Sequence, residues 1–228
     1  MARKPRMVVP HLPHHVVIRG NNRRRLFSSR LDYETFLRFL HQALDKTGCA
    51  LNALSIMTNH VHLLLTPSTE LALPACIKLA SQRYAYFRNL RRGATGKLYE
   101  QRYFCKLVDT ERYLACVTAY IDANPDASGL VTWHGAAYPF TTRHLHLGRV
   151  DVGAISPQIW TPSAWYVALG RSDDERAMAY AQVAEGYAVE ALSIPNIEAW
   201  KRPASSLALI GVPTQRQRFE RPDGTTAL

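Results

Sequence analysis

Cysteine is scarce in this chain. The four thiols, Cys49, Cys76, Cys105 and Cys116, are widely spaced and form no CxxC pair, which argues against a zinc knuckle or a disulfide framework. They read as buried thiols. Long apolar runs are missing too: no stretch approaches the roughly 18 residues that cross a bilayer, so no membrane span is expected. The first residues, MARKPRMVVPHLPHH, carry basic groups without a long apolar segment behind them, which predicts no secretory signal and a cytoplasmic location. GxSxG and the Gly-rich phosphate loop are absent, removing the usual signatures of serine hydrolysis and kinase chemistry.

Acid is in deficit as well, with 18 Asp and Glu against 28 Lys and Arg, a net charge of +10 over 228 residues. The excess is concentrated. Residues 1 to 25 hold Arg3, Lys4, Arg6, Arg19, Arg23, Arg24 and Arg25 with no acid. Residues 83 to 106 hold Arg83, Arg88, Arg91, Arg92, Lys97, Arg102 and Lys106 against Glu100 alone. Together these segments carry +13 and leave the other 179 residues at −3, a distribution suited to a polyanion such as nucleic acid.

At 47% hydrophobic, the chain has enough apolar material for a core, in one domain or one domain with an appendage. His14 to Ile18 reads as a strand closed by Gly20-Asn21-Asn22. Tyr33, Phe36, Leu37, Leu40 and Leu44 then recur at helical spacing up to Gly48. Ala50 to Met57 and His60 to Thr66 form two apolar runs around a Thr58-Asn59 turn. A second helix is expected from Pro74, with Ile77, Ala80, Tyr84 and Phe87 inward, ending before Gly93. Lys97 to Val108 is strand-like. Thr110 caps a third helix bearing Tyr113, Leu114, Val117 and Ile121, which Pro125 is expected to end at about Asn124. The order βαββαβα predicts an α+β fold, a ferredoxin-like sandwich with an antiparallel sheet and helices on one side. Residues 1–140 are read as the domain that carries this fold. Residues 141–228 are read as a partly helical C-terminal extension with one helix near Asp173 to Val189.

His60-Val61-His62 carries the chemistry. Alternation along a strand puts both imidazoles on one face, roughly 7 Å apart, while Val61, Leu63 and Leu65 face a core. That spacing suits a divalent metal, and equally suits two hydrogen-bonded or solvent-facing histidines. On the third helix Tyr120 lies at the edge of the buried stripe and Asn124 one turn further along, so Asn124 is a candidate third ligand beside Tyr120. The plain alternative is a core-rim tyrosine and a helix-closing asparagine. His11, His14 and His15 lead into the first strand and are given no role. His144 and His146 are given none either, for want of a carboxylate at a suitable offset. Arg23, Arg24 and Arg25, after the first strand's turn, are candidate phosphate contacts, as is Arg102, while Arg19, alternating with Val17, suits a phosphate contact or a surface strand position alike. Tyr99 and Tyr103 suit base stacking or packing alike.

Four separated motifs occur in order: HHVVIRGNNRRRLF (His14 to Phe27), SIMTNHVHLLLTP (Ser55 to Pro67), GKLYEQRYFCKLVDTERYL (Gly96 to Leu114) and YIDANP (Tyr120 to Pro125). Together they resemble the IS200-like single-tyrosine transposases, most nearly the stand-alone type associated with repetitive extragenic palindromes, over about residues 1 to 140. The resemblance implies a metal-dependent strand transferase acting on single-stranded or hairpin DNA. In it His60, His62 and Asn124 would hold Mg²⁺ or Mn²⁺, and Tyr120 would form a 5′-phosphotyrosine. It also implies a protein that is nucleoid-associated when bound to DNA, as a monomer or a homodimer. Thr58 stands where the family usually has proline, and NPDAS replaces the common NPVRA. A hairpin-binding protein without cleavage, and a phosphoesterase using water, are the competing readings.

Overall fold

The computed structural model describes residues 7–191 apart from 101, 131, 134, 135 and 151, so Arg3, Lys4, Arg6 and the tail after 191 lie outside the described residues. The elements His14–Arg19 (β1), Arg30–Thr47 (α1), Cys49–Ile56 (β2), His60–Pro67 (β3), Ala72–Arg92 (α2), Phe104–Leu107 (β4) and Glu111–Ala127 (α3) follow one another in the expected order. Four strands pair antiparallel in the order β2-β3-β1-β4. A two-stranded ribbon, Thr132–Trp133 (β5) and Ala136–Ala137 (β6), comes next, and then the helices Arg143–His146 (α4), Ala164–Ala168 (α5) and Asp173–Ala191 (α6). Among the described residues no helix is long and apolar enough to cross a membrane.

Local chemistry explains the boundaries. Asp32 Oδ2 accepts from the Ser28 and Ser29 amides at 2.8 and 3.1 Å, satisfying orphan donors at the start of α1. Gly48 ends α1 in the left-handed region, at φ 69°, with its N–H on the Leu44 carbonyl. Pro74 lies in the first turn of α2, where its missing N–H costs nothing. Thr110 caps α3 by accepting from the Tyr113 amide. The helix does not end before Pro125, as the sequence predicts, but runs through it to Ala127. A proline in the last turn forfeits one backbone bond, and the chain leaves the helix within three residues. The long strand expected over Lys97 to Val108 shrinks to four residues.

Both faces of the sheet are covered. Val16, Ile18, Leu54, Ile56, Val61, Leu63 and Leu65 pack against α1 and α2. The opposite face carries His15, Val17, Arg19, His60, His62 and Leu64, and its apolar patch at Ala53 and Leu64 packs against Leu114, Val117 and Ile121 of α3. Helices on one side only is therefore corrected: α3 crosses the histidine face. The reason is Leu64, which breaks the alternation of β3 and gives that face something apolar for the α3 stripe to bury.

The segment after residue 137 seals the β2 edge. Ile56 N–H donates to the Phe140 carbonyl, Thr142 N–H to Leu54, and Thr161 N–H to Leu51. Trp160 Nε1 donates to the Asn52 carbonyl at 2.8 Å. These bonds consume donors and acceptors that an open edge would offer to another chain. From there α6 lies along α3 and buries Tyr180 in the second core.

Candidate functional site

Three elements converge on the face that α3 covers. The His60 and His62 rings of β3 lie 4.8 Å apart between centroids, closer than strand spacing alone predicts. The Tyr120 ring, from α3, stands edge-on to His62 at 5.4 Å. His15 of β1 stacks on His62 at 5.3 Å and meets Tyr120 at 6.1 Å. The helix thus sets the Tyr120 ring beside His62 of β3 and His15 of β1.

Hydrogen bonds decide which ring nitrogens remain available. His60 Nδ1 faces Asn59 Oδ1 at 2.7 Å. An amide oxygen accepts only, so the proton sits on Nδ1 and the His60 Nε2 presents a lone pair. The amide of Asn59 is oriented in turn by its nitrogen, which donates to the Arg23 carbonyl. His62 is wholly buried, with Nδ1 3.0 Å from His15 Nε2. Its Nε2 is buried with no hydrogen-bond partner. Asn124, also buried, donates its amide nitrogen to the Tyr120 carbonyl at 2.8 Å, so the oxygen is the group it presents elsewhere.

Burial keeps the imidazoles neutral. It is the main cause that lowers His60 to about 4 and His15 to about 3, with Arg19 acting further on His60 and Lys106 on His15. His62 is driven well below its ordinary value, by burial first and then by His15, His60 and Arg19. The unfolded chain takes up protons near pH 6.5 and the folded chain does not, so stability is full above that pH and falls as acid is added. Each group contributes a slope approaching about 1.4 kcal/mol per pH unit between its unfolded and folded values. Thermal melts should therefore fall steeply from pH 7 to pH 4.5. A flat profile would contradict this account of the site.

The cationic candidates divide. Arg19, half-buried, pairs in register with His60 on the same face. Arg23, Arg24 and Arg25 are exposed on a loop whose backbone turns at φ 51° (Asn22) and 56° (Arg23), held to the β2–β3 turn through Gly20 N–H on Asn59 and Leu26 N–H on Thr58. Arg102 is exposed just before β4. The second basic segment is partly committed to the fold: Arg88 is buried on the Leu26 carbonyl, Arg91 pairs with Asp32 at 2.7 Å, and Arg92 donates to Ser28. Tyr99 packs inward with its hydroxyl on the Ser81 carbonyl, and Tyr103 packs against the first core. The exposed ring at this end is Phe104, 6.2 Å from His15.

Three features escape the sequence reading. His15 lies within β1 and inside the site, although sequence reasoning assigns it no role; its parity with Val17 and Arg19 is the available signal. Asn59 orients His60. His146 does have a carboxylate, since its Nδ1 lies 2.7 Å from Asp122 Oδ2, a residue 24 positions away on α3.

The comparisons bear on this geometry. A family model described as "Transposase IS200 like" matches residues 8–124, more than half the chain. No curated protein matches. Among solved structures, one of a REP-associated tyrosine transposase bound to a REP hairpin is 15% identical with a TM-score of 0.53, covering 72% of this chain and 93% of its own, a likeness of fold. A candidate transposase from Deinococcus radiodurans is 25% identical over 53% of this chain and 95% of its own, with a TM-score of 0.37. With two imidazoles and a phenol gathered on one sheet face and the family model spanning the elements that gather them, this chain belongs to the IS200-like transposases.

Proposed function

We propose that the protein cleaves and rejoins single-stranded DNA beside hairpins through a 5′-phosphotyrosine on Tyr120, with Mg²⁺ or Mn²⁺ held by His60, His62 and Asn124. The observation that carries this reading is the cluster itself: His60, His62 and Tyr120 with ring centroids within 5.4 Å along the chain of contacts, on a partly covered face. The residues fit a metal. His62 Nε2 is a buried nitrogen without a protein partner, His60 Nε2 is a lone pair by its bond to Asn59, and Asn124 has an amide oxygen to offer. Among the described residues no group of three or more His, Cys, Asp or Glu is arranged to hold an ion, so water or phosphate oxygens would complete the shell. Two nitrogen donors favour manganese over magnesium.

When bound, the ion supplies Lewis-acid stabilisation of charge on the phosphate oxygens. The protein's own groups do the rest. Tyr120 gives its phenol proton to solvent and attacks the scissile phosphorus; the P–O3′ bond breaks, the 3′ oxygen takes up a proton from solvent, and the phosphate stays on the tyrosine with the 5′ strand. The ester retains the phosphodiester energy, so a 3′-hydroxyl can reverse the step at a second strand without ATP. Arg23, Arg24, Arg25 and Arg102 hold backbone phosphates from exposed positions, and Arg19 does so beside the histidines.

The test is an adduct assay. The full chain, incubated with Mn²⁺ and hairpins from the DNA flanking its own gene, is expected to yield a protein–DNA species that survives denaturation and leaves a free 3′-hydroxyl. Salt-sensitive hairpin binding without adduct or nick would instead support the non-cleaving reading.

A further inference from the structure

We propose that His15 is a positioning residue for His62, accepting the Nδ1 proton of His62 on its own Nε2 and thereby holding the buried Nε2 of His62 as a lone pair. The inference rests on the metal reading above and deepens it. Two arrangements satisfy the 3.0 Å contact between His15 Nε2 and His62 Nδ1. If His15 donates, neutral His62 carries its proton on Nε2, leaving a buried N–H with no acceptor, which costs the full desolvation of that donor. If His62 donates, the atom left over is a lone pair, which a divalent ion satisfies.

The packing favours the second arrangement functioning as a fixed geometry. The two rings are nearly parallel, 17° apart at 5.3 Å, and both are almost fully buried, so His62 has no room to turn. The register places His15 two positions from Val17, the cross-strand partner of His62, on the same face. Asn59 performs the equivalent service for His60. Each imidazole thus has its own orienting acceptor, one from the turn before β3 and one from the adjacent strand.

The experiment has two readouts. Long-range ¹H–¹⁵N spectra of the metal-free, ¹⁵N-labelled full chain at pH 7 report the His62 tautomer, and electron paramagnetic resonance of free Mn²⁺ reports affinity. His15→Gln keeps an acceptor at a similar reach, whereas His15→Leu removes it and His15→Asn draws it back. Wild type and His15→Gln are expected to show His62 protonated on Nδ1. His15→Leu and His15→Asn are expected to lose that preference and to bind Mn²⁺ about 10–100-fold more weakly. If His15→Leu fails to fold, His15→Asn carries the comparison. A wild-type His62 protonated on Nε2, or unchanged tautomer and affinity in both variants, overturns the proposal. Should wild type take up no Mn²⁺, the metal reading falls, and the tautomer measurement alone decides the role of His15.

Discussion

Tyr120→Phe is expected to abolish the covalent protein–DNA adduct, lowering strand cleavage by a factor on the order of 10⁴ or more, while hairpin affinity stays within about twofold. The asymmetry follows from what the substitution removes. The ring contacts of Tyr120 with His62, at 5.4 Å, and with His15, at 6.1 Å, are made by the aromatic plane, which phenylalanine keeps. The lost atom is the hydroxyl oxygen, the proposed nucleophile. Circular dichroism and melting temperature should therefore be close to wild type. The assay also separates this chemistry from a water-based phosphoesterase, which would still nick DNA in Tyr120→Phe and would never attach it. Tyr187 of α6, its ring 6.3 Å from that of Tyr120, provides the control. Tyr187→Phe should retain the adduct, and an adduct that follows Tyr187 rather than Tyr120 would displace the nucleophile to α6.

What the sequence made legible was local. Strand alternation put His60 and His62 on one face, helical period put Tyr120 at the margin of the Leu114, Val117 and Ile121 stripe, and Gly48 and Gly93 marked two helix ends. What it hid depends on partners distant in the chain. His15 reads as one of several histidines ahead of a strand until β1 pairs with β3 and sets it beside His62, 47 positions away. Composition likewise counts Arg88, Arg91 and Arg92 as free positive charge, although α1 and the segment leading into it have already claimed them through Asp32, Ser28 and the Leu26 carbonyl. The side of the sheet that α3 covers turned on one residue, Leu64, whose apolar character looked like a continuation of the core run beside it.

Asp122→Ala is expected to lower stability by about 3–5 kcal/mol, a fall in melting temperature of roughly 6–20 °C, and to weaken the site from behind. Asp122 is almost fully buried on α3, midway between Tyr120 and Asn124. It accepts from the Thr142 hydroxyl at 3.0 Å and the Tyr180 hydroxyl at 2.6 Å, and its other contact is His146 Nδ1 at 2.7 Å. Thr142 also donates its N–H to Leu54 on the β2 edge, and Tyr180 anchors α6. One side chain therefore joins α3 to the edge clamp, to α4 and to α6. Truncating it strands the Tyr180 hydroxyl and His146 Nδ1 at about 1–3 kcal/mol each before relaxation, while the Thr142 hydroxyl keeps Leu54 as partner. Because Tyr120 and Asn124 lie two residues to either side, loosening this anchor lets α3 rotate or shift, so adduct yield should drop even at temperatures where the variant is folded. The coupling can be isolated by a double substitution. Asp122→Leu with His146→Phe removes a donor along with its acceptor, and should recover part of the stability that Asp122→Leu loses alone. A melting temperature for Asp122→Ala within 2 °C of wild type, on the scale of roughly 2–4 °C per kcal/mol, would mean that the network holds less than the geometry assigns to it.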